Sequence, residues 1–185
     1  QSSAASDVYK RQGIAGIGYA VPGTVIAIGV LIPAAWLDNH LDYLSTLYLD
    51  MPIGLLFSGS MVILVFAYLV RFLSISLNTM DSGLSAIKPG LDESARSLGA
   101  SKKNVLTKIH IPILKTSVLT AFLLVFVEVM KELPTTLILR PFNFNTLAVK
   151  TYELASDERL LDAALPALCI VMISLIPIPV SYTHL

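Results

Sequence analysis

Two groups of residues in this 185-residue chain have types and spacing that suit them to a task. The first is Glu93-Ser94-Ala95-Arg-Ser-Leu-Gly99, followed ten residues later by Ile109-His-Ile111-Pro112. The second is Glu128, Glu132, Thr135, Thr136 and Arg140, ionisable and hydroxyl side chains gathered at the end of a long apolar stretch. Neither group has the make-up of a catalytic centre. No Gly-x4-Gly-Lys-Ser/Thr phosphate loop, His-Glu-x-x-His pair or Gly-x-Ser-x-Gly turn occurs. His40, His110 and His184 are scattered, and Cys169 is the single cysteine, so an intrachain disulfide and a cysteine-based metal cluster are excluded. The expectation is no catalytic residue, no cofactor and no metal site. What these residues can do is dock, pair charges and pass a solute.

The first group can build a short helix. Lys88-Pro89-Gly90 should end whatever helix precedes it, because a residue before proline is pushed toward extended geometry and glycine permits a turn. Asp92 is then the expected N-cap, Glu93 complements the positive helix end, and Asp92 pairs with Arg96 at i, i+4. Gly99 can take the left-handed conformation that stops the helix. Two turns are too few to be stable alone in water, so this helix, with small Ser94 and Ala95 on one side, needs a partner surface. Ser101 can cap a second segment in which Val105, Leu106, Ile109 and Ile113 form an apolar stripe beside Lys102, Lys103 and Lys108. That segment is expected to lie along a membrane surface, with Pro112 bending the chain into the next span.

The elements that must position these groups are membrane helices. Hydrophobic residues make up 55% of the chain and charged ones 14%, with a mean hydropathy of +0.73, values too apolar for an ordinary soluble domain. A helix needs about 20 apolar residues to cross the hydrocarbon core. Four stretches qualify, roughly 14–37, 55–77, 113–133 and 161–180. The fold expected is all-α, a bundle of about four spans plus the short loop helix. The first span holds Pro22, Gly23 and Pro33, which implies a bent, protein-packed helix. Gly16, Ala20, Gly23, Ala27 and Ala34 give it a stripe of small residues for close helix approach.

Charge sets the orientation. The 13 basic and 13 acidic residues cancel, but 38–52 holds Asp38, Asp42 and Asp50 and no Lys or Arg, whereas 78–112 holds Lys88, Arg96, Lys102, Lys103 and Lys108. The positive-inside bias places the second loop in the cytoplasm and the first outside, as an acidic outer loop. Arg71 stands one and a half turns before the expected inner end of the second span, within reach of the interface by snorkelling. Residues 1–12 and 181–185 read as polar ends that neither continue nor cap the apolar pattern. They resemble translated adapter sequence and are set aside, leaving 13–180 to carry the fold.

Glu128 lies thirteen residues beyond Lys115, about 20 Å along a helix and within a core of about 30 Å. An ionisable group at that depth is a functional candidate. Lys131, at i+3, offers an alternative role for it as half of a structural ion pair.

The spacing Glu93-x-Ala95, three residues, Gly99, nine residues, Ile109-x-Ile111-Pro112 resembles the coupling loop of binding-protein-dependent ABC importer permeases. That family's pattern is Glu-Ala-Ala, Gly and Ile-x-Leu-Pro, from which Ser94 and Ile111 depart conservatively. The resemblance implies that Asp92, Glu93, Ser94, Ala95, Gly99, Ile109, Ile111 and Pro112 couple the membrane helices to a dimer of separate ABC ATPase subunits. Glu128 through Ala148, Thr151 through Arg159 and Gly18 through Gly23 are similar, more narrowly, to permeases for ferric iron. Such permeases fuse two homologous halves, so the chain corresponds to a second half, with a multi-pass location in a bacterial inner membrane. The further partners implied are a periplasmic substrate-binding protein, the other permease half and the lipid bilayer, without nucleic acid. Glu132, Thr135, Thr136 and Arg140 would stand near the outer mouth, as a gate or a contact for the binding protein, or else as interface anchors and helix caps. Polyamine, thiamine or oxyanion importers remain open as alternatives to iron. An ion-driven secondary transporter that uses Glu128 would leave the coupling loop without a task, and a membrane-embedded enzyme would need convergent reactive groups that the sequence lacks.

Overall fold

The computed structural model describes residues 21–177, and every regular element among them is helical. The polar ends, Gly16, Ala20, the start of the first expected span and the last residues of the fourth lie outside the described residues. Helix α1, Gly23–Leu49, starts directly after Pro22, whose carbonyl accepts the Val25 and Ile26 amides at 3.0 and 3.2 Å. The helix does not stop near residue 37 but runs on through the stretch expected as an acidic outer loop. The acids there are structural. Asp38 is fully buried, and its carboxylate accepts the amides of Leu56, Phe57 and Ser58 at 3.0, 2.8 and 2.7 Å. Asp42 accepts the Gly54 amide at 2.8 Å, so both carboxylates hold the returning segment against the helix instead of projecting from a loop. Asp50, at φ 51°, ends α1 in the left-handed region.

Helix α2, Met61–Ser85, begins at Ser60, whose hydroxyl accepts the Ile63 amide at 3.4 Å. It too outruns its expected end. Thr79, Ser82 and Ser85 return their hydroxyl protons to carbonyls four residues back, at 2.8, 2.9 and 2.8 Å, so these hydroxyls are satisfied within the helix. Helix α3, Pro89–Ser97, follows, then α4, Lys102–Val105, a π turn at Leu106–His110, and α5, Ile111–Lys131. From Lys102 to Lys131 the chain is one continuous helical stretch of 30 residues. The expected surface segment is thus the foot of the third span. Pro112 bends nothing away; it accounts for the π turn, because it has no amide for the Lys108 carbonyl and its ring crowds that oxygen. The Ile111 amide reaches back to Leu106 instead.

The chain breaks at Glu132, which is extended at φ −72° and ψ 108°. Three shorter helices follow among the described residues: α6, Pro134–Leu139; α7, Leu147–Ser156; and α8, Leu160–Leu175. Among the described residues three helices, Gly23–Leu49, Met61–Ser85 and Lys102–Lys131, are long and apolar enough to cross a membrane. The fourth expected span is observed as a helix of 16 residues, about 24 Å long, among the described residues.

Packing follows the small residues. Ala27 on α1 and Ala67 on α2 are fully buried, and with Ile26, Ile63, Leu64 and Leu139 of α6 they form the core. Helices α2 and α5 run antiparallel in contact. A side chain at Gly83 would overlap Ser117 of α5, so the glycine permits their close approach. The outer faces are apolar and open, with Trp36, Val62, Phe66, Phe122, Leu165 and Met172 among the exposed side chains, the character of a surface made for lipid or other helices.

Candidate functional site

Three of the buried polar side chains, Glu132, Thr135 and Thr136, come together with Arg71 where three elements meet. Arg71 stands on α2 ten residues after Met61 and fourteen before Ser85, about 15 and 21 Å from the two ends. It is therefore near mid-helix, and its head group turns to a carboxylate partner instead of snorkelling as expected. Its Nε lies 3.0 Å from Glu132 Oε2, with side-chain exposures of 17% and 7%. The Nε proton has no acceptor in line, so this contact is an ion pair held by charge more than an aligned hydrogen bond. Arg71 Nη1 donates to the Val21 carbonyl at 3.1 Å, an oxygen just outside the start of α1.

Hydroxyl groups complete the cluster. The Thr135 amide and hydroxyl both reach Glu132 Oε1, at 3.2 and 2.6 Å, and the hydroxyl also has the Gly23 carbonyl within 3.2 Å. Thr136 donates its only proton to the Glu132 carbonyl at 2.6 Å, so the 2.5 Å contact with Tyr68 makes the tyrosine the donor. Glu132, Thr135 and Thr136 are buried, at 6%, 0% and 0% exposure. A Cβ at Gly23 would stand 2.6 Å from Glu132 Oε1 and from Thr135 Oγ1. Only glycine lets the first turn of α1 approach the carboxylate so closely. The cluster thus joins the start of α1, the middle of α2 and the break between α5 and α6. Taking a carboxylate and a guanidinium out of water costs several kcal/mol per ion, and the added amide, hydroxyl and carbonyl partners offset that cost.

The remaining outer candidates separate from this cluster. Glu128 Oε1 pairs with Lys131 Nζ at 2.7 Å within α5, the ion-pair alternative for that residue. Arg140, just past α6, pairs with Glu153 of α7 at 3.0 Å and donates to Asn145, which itself donates to Glu153 at 3.2 Å. These side chains line an open cleft of about 440 Å³ together with Leu137 and Phe142.

At the other end of α2 and α5, the loop builds a short exposed helix, with boundaries shifted from those expected. Lys88, not Asp92, is the N-cap; Pro89 and Gly90 are the first helical residues, and Asp92 sits in the first turn. Proline suits that position because the first amides of a helix have no internal partner. Gly99 at φ +83° ends the helix as expected. The Gly99 amide bonds to Arg96 O and the Ala100 amide to Ala95 O, both at 3.0 Å, which is a Schellman motif. Ser101 caps α4, its hydroxyl accepting the Asn104 amide at 3.3 Å. Asp92 turns to His110, with Oδ1 2.7 Å from Nε2, rather than to Arg96. Of the motif side chains, Glu93, Ser94, Ile111 and Pro112 are exposed, while Ala95 and Ile109 are partly covered.

Sequence reasoning missed Arg71, Tyr68 and His110. Arg71 had a signal, since a lone arginine inside an apolar span is a functional candidate, but its partner Glu132 lies at the end of another helix and no spacing points to it. His110 occupies the variable position of Ile109-His-Ile111-Pro112, where spacing gives no cue to a partner eighteen residues away.

Helices of membrane-spanning length, a motif-bearing helix between two of them and a buried charge cluster beside a helix break define a membrane transport component. The sequence from residue 12 to residue 185 matches the family described as "Binding-protein-dependent transport system inner membrane component", and the chain belongs to that family. Family membership bears out the resemblance carried by the loop, and the helical fold agrees with it. The chain is 28% identical over 160 residues, 86% of its length, to the "Fe(3+)-transport system permease protein FbpB 2" of Haemophilus influenzae, of which it covers 28%. It is 27% identical over 157 residues, 85% of its length, to the "Putative 2-aminoethylphosphonate transport system permease protein PhnV" of Salmonella typhimurium, of which it covers 53%. The chain thus spans between about a quarter and about half of the length of these relatives.

Proposed function

We propose that this chain is part of the permease of an ATP-driven importer in a bacterial inner membrane, the second half of a longer two-half permease. In this reading it hydrolyses nothing; a dimer of partner ATPase subunits supplies the energy. The coupling surface is α3 and the foot of α5, with Asp92, Glu93, Ser94, Ala95, Gly99, Ile109, Ile111 and Pro112. The observation that carries the reading is α3 itself, a short helix with a Schellman stop and an exposed polar face, set between two membrane helices in the family's loop. Closure of the ATPases around ATP would push on this helix and shift the spans between inward-open and outward-open arrangements, a two-state change that needs an element with different contacts in each state.

Glu132, Thr135 and Thr136 form the gate in this proposal. Their contacts with Arg71 and Gly23 join the start of α1, the middle of α2 and the α5–α6 break, and breaking them would release these elements from one another. Glu128 and Arg140 flank the gate. The cargo proposed is ferric iron handed over by a periplasmic binding protein, in line with the printed name of the Haemophilus influenzae relative. The PhnV relatives favour a second reading, in which the cargo is a phosphonate anion. The full-length permease, reconstituted with its ATPase and binding protein, should accumulate radiolabelled ferric iron with ATP and not without it. Accumulation of labelled 2-aminoethylphosphonate in place of iron would replace the iron reading, and uptake of neither would remove both.

A further inference from the structure

We infer that His110 is a positioning residue that fastens α3 to the foot of the third span, so that load received by α3 passes straight into α5. The inference rests on the coupling role proposed for α3 and adds the joint through which that role is exercised. Helix α3 is nearly free of the bundle. Gly90, Leu91, Glu93, Ser94, Arg96 and Ser97 are exposed, none of its described side chains is buried, and it packs chiefly against the short α4. A body attached only by its two chain ends would pivot when pushed. The contact between Asp92 Oδ1 and His110 Nε2, at 2.7 Å, is a third point of attachment. A carboxylate only accepts hydrogen bonds, so Nε2 carries the proton and donates.

The place of His110 makes the joint effective. It is the last residue of the π turn at Leu106–His110, inside the continuous stretch Lys102–Lys131. From His110 the helix runs about 33 Å to Glu132, where the pair with Arg71 and the contacts of Thr135 link it to α2 and α1. One rigid element therefore connects the joint to the buried cluster. Asp92 acquires a second task beside its place in the coupling surface: its carboxylate reaches the histidine. Such a half-exposed pair contributes little stability. Its effect lies in direction, since three attachment points fix the orientation of α3 where two leave it free to swing.

The test uses the full-length permease with its ATPase and binding protein in proteoliposomes, with ATPase capture, uptake and membrane insertion measured on each variant. His110→Ala should insert and capture the ATPase as the unsubstituted protein does, while uptake falls about tenfold, within the range over which substitutions along coupled networks act. His110→Gln, which keeps a side-chain N–H donor, should recover most of the uptake. Asp92→Ala combined with His110→Ala should be no worse than Asp92→Ala alone, because both remove one contact. Unchanged uptake in His110→Ala, failure of the glutamine variant to recover it, or losses that multiply in the double variant would overturn the inference. Loss of ATPase capture in His110→Ala would also overturn it, by placing the ring in the docking surface. Failure of the unsubstituted permease to capture any ATPase would instead remove the coupling role itself, and this joint with it.

Discussion

Arg71 and Glu132 show how much a single side chain's partner decides. Alone, either charge at the depth of mid-helix would be costly; together, with Thr135 on one carboxylate oxygen and Val21 O on the guanidinium, they form a closed set. Removing one member of a buried pair leaves its partner unpaired, which costs more than removing both. Arg71→Met in the full-length permease should therefore lower stability by about 3 kcal/mol. Arg71→Met combined with Glu132→Gln should recover at least half of that loss, and thermal unfolding in detergent reads both. Equal unfolding temperatures for Arg71→Met and the unsubstituted protein would mean that the pair holds nothing together. The acids of α1 teach a related lesson. Asp38 has the composition of a loop residue, yet it is buried because three successive amides of the returning chain converge on it. Residue type alone signals a charge, not whether the rest of the chain supplies a partner.

At the scale of elements, what was legible depended on whether the stop signal was local. Gly99 was readable, since a glycine ten residues before Ile109-His-Ile-Pro has one obvious use, and at φ +83° it serves that use. The ends of α1 and α2 were not readable. Asp38, Thr79 and Ser82 look like places where a span should end, but Asp38 finds distant amides and the two hydroxyls find carbonyls of their own helix, so none of them ends it. Helix α3 should respond to its stop in a graded way. Gly99→Ala keeps the amide that bonds to Arg96 O and costs about 1 kcal/mol for the left-handed conformation. Gly99→Pro removes that amide and cannot adopt positive φ. Uptake by the reconstituted importer should be mildly reduced by alanine and abolished by proline, with membrane insertion intact in both. Full uptake in the proline variant would show that the stop of α3 is irrelevant to transport.

On the scale of the whole molecule, composition gave the class, a property summed over many residues and so insensitive to one misplaced boundary, while loop charge supplies an expected orientation that labelling from either side would read. The convergence of Val21, Gly23, Tyr68, Arg71, Glu132, Thr135 and Thr136 at one point was not legible, because it depends on the start of α1, the middle of α2 and the α5–α6 break meeting at one level. The antiparallel contact of α2 with α5 carries the account as a whole: it sets α3 at one end of the pair and the buried cluster toward the other. The most direct test of that arrangement is a single reactive site on α3. Ser94→Cys, in a full-length permease whose Cys169 is replaced by Ser and whose other cysteines are removed, should be labelled by membrane-impermeant maleimide only from the cytoplasmic side, and should cross-link to the ATPase subunit in its presence. Labelling from the outer side alone, or cytoplasmic labelling with no cross-link to a bound ATPase, would contradict the account.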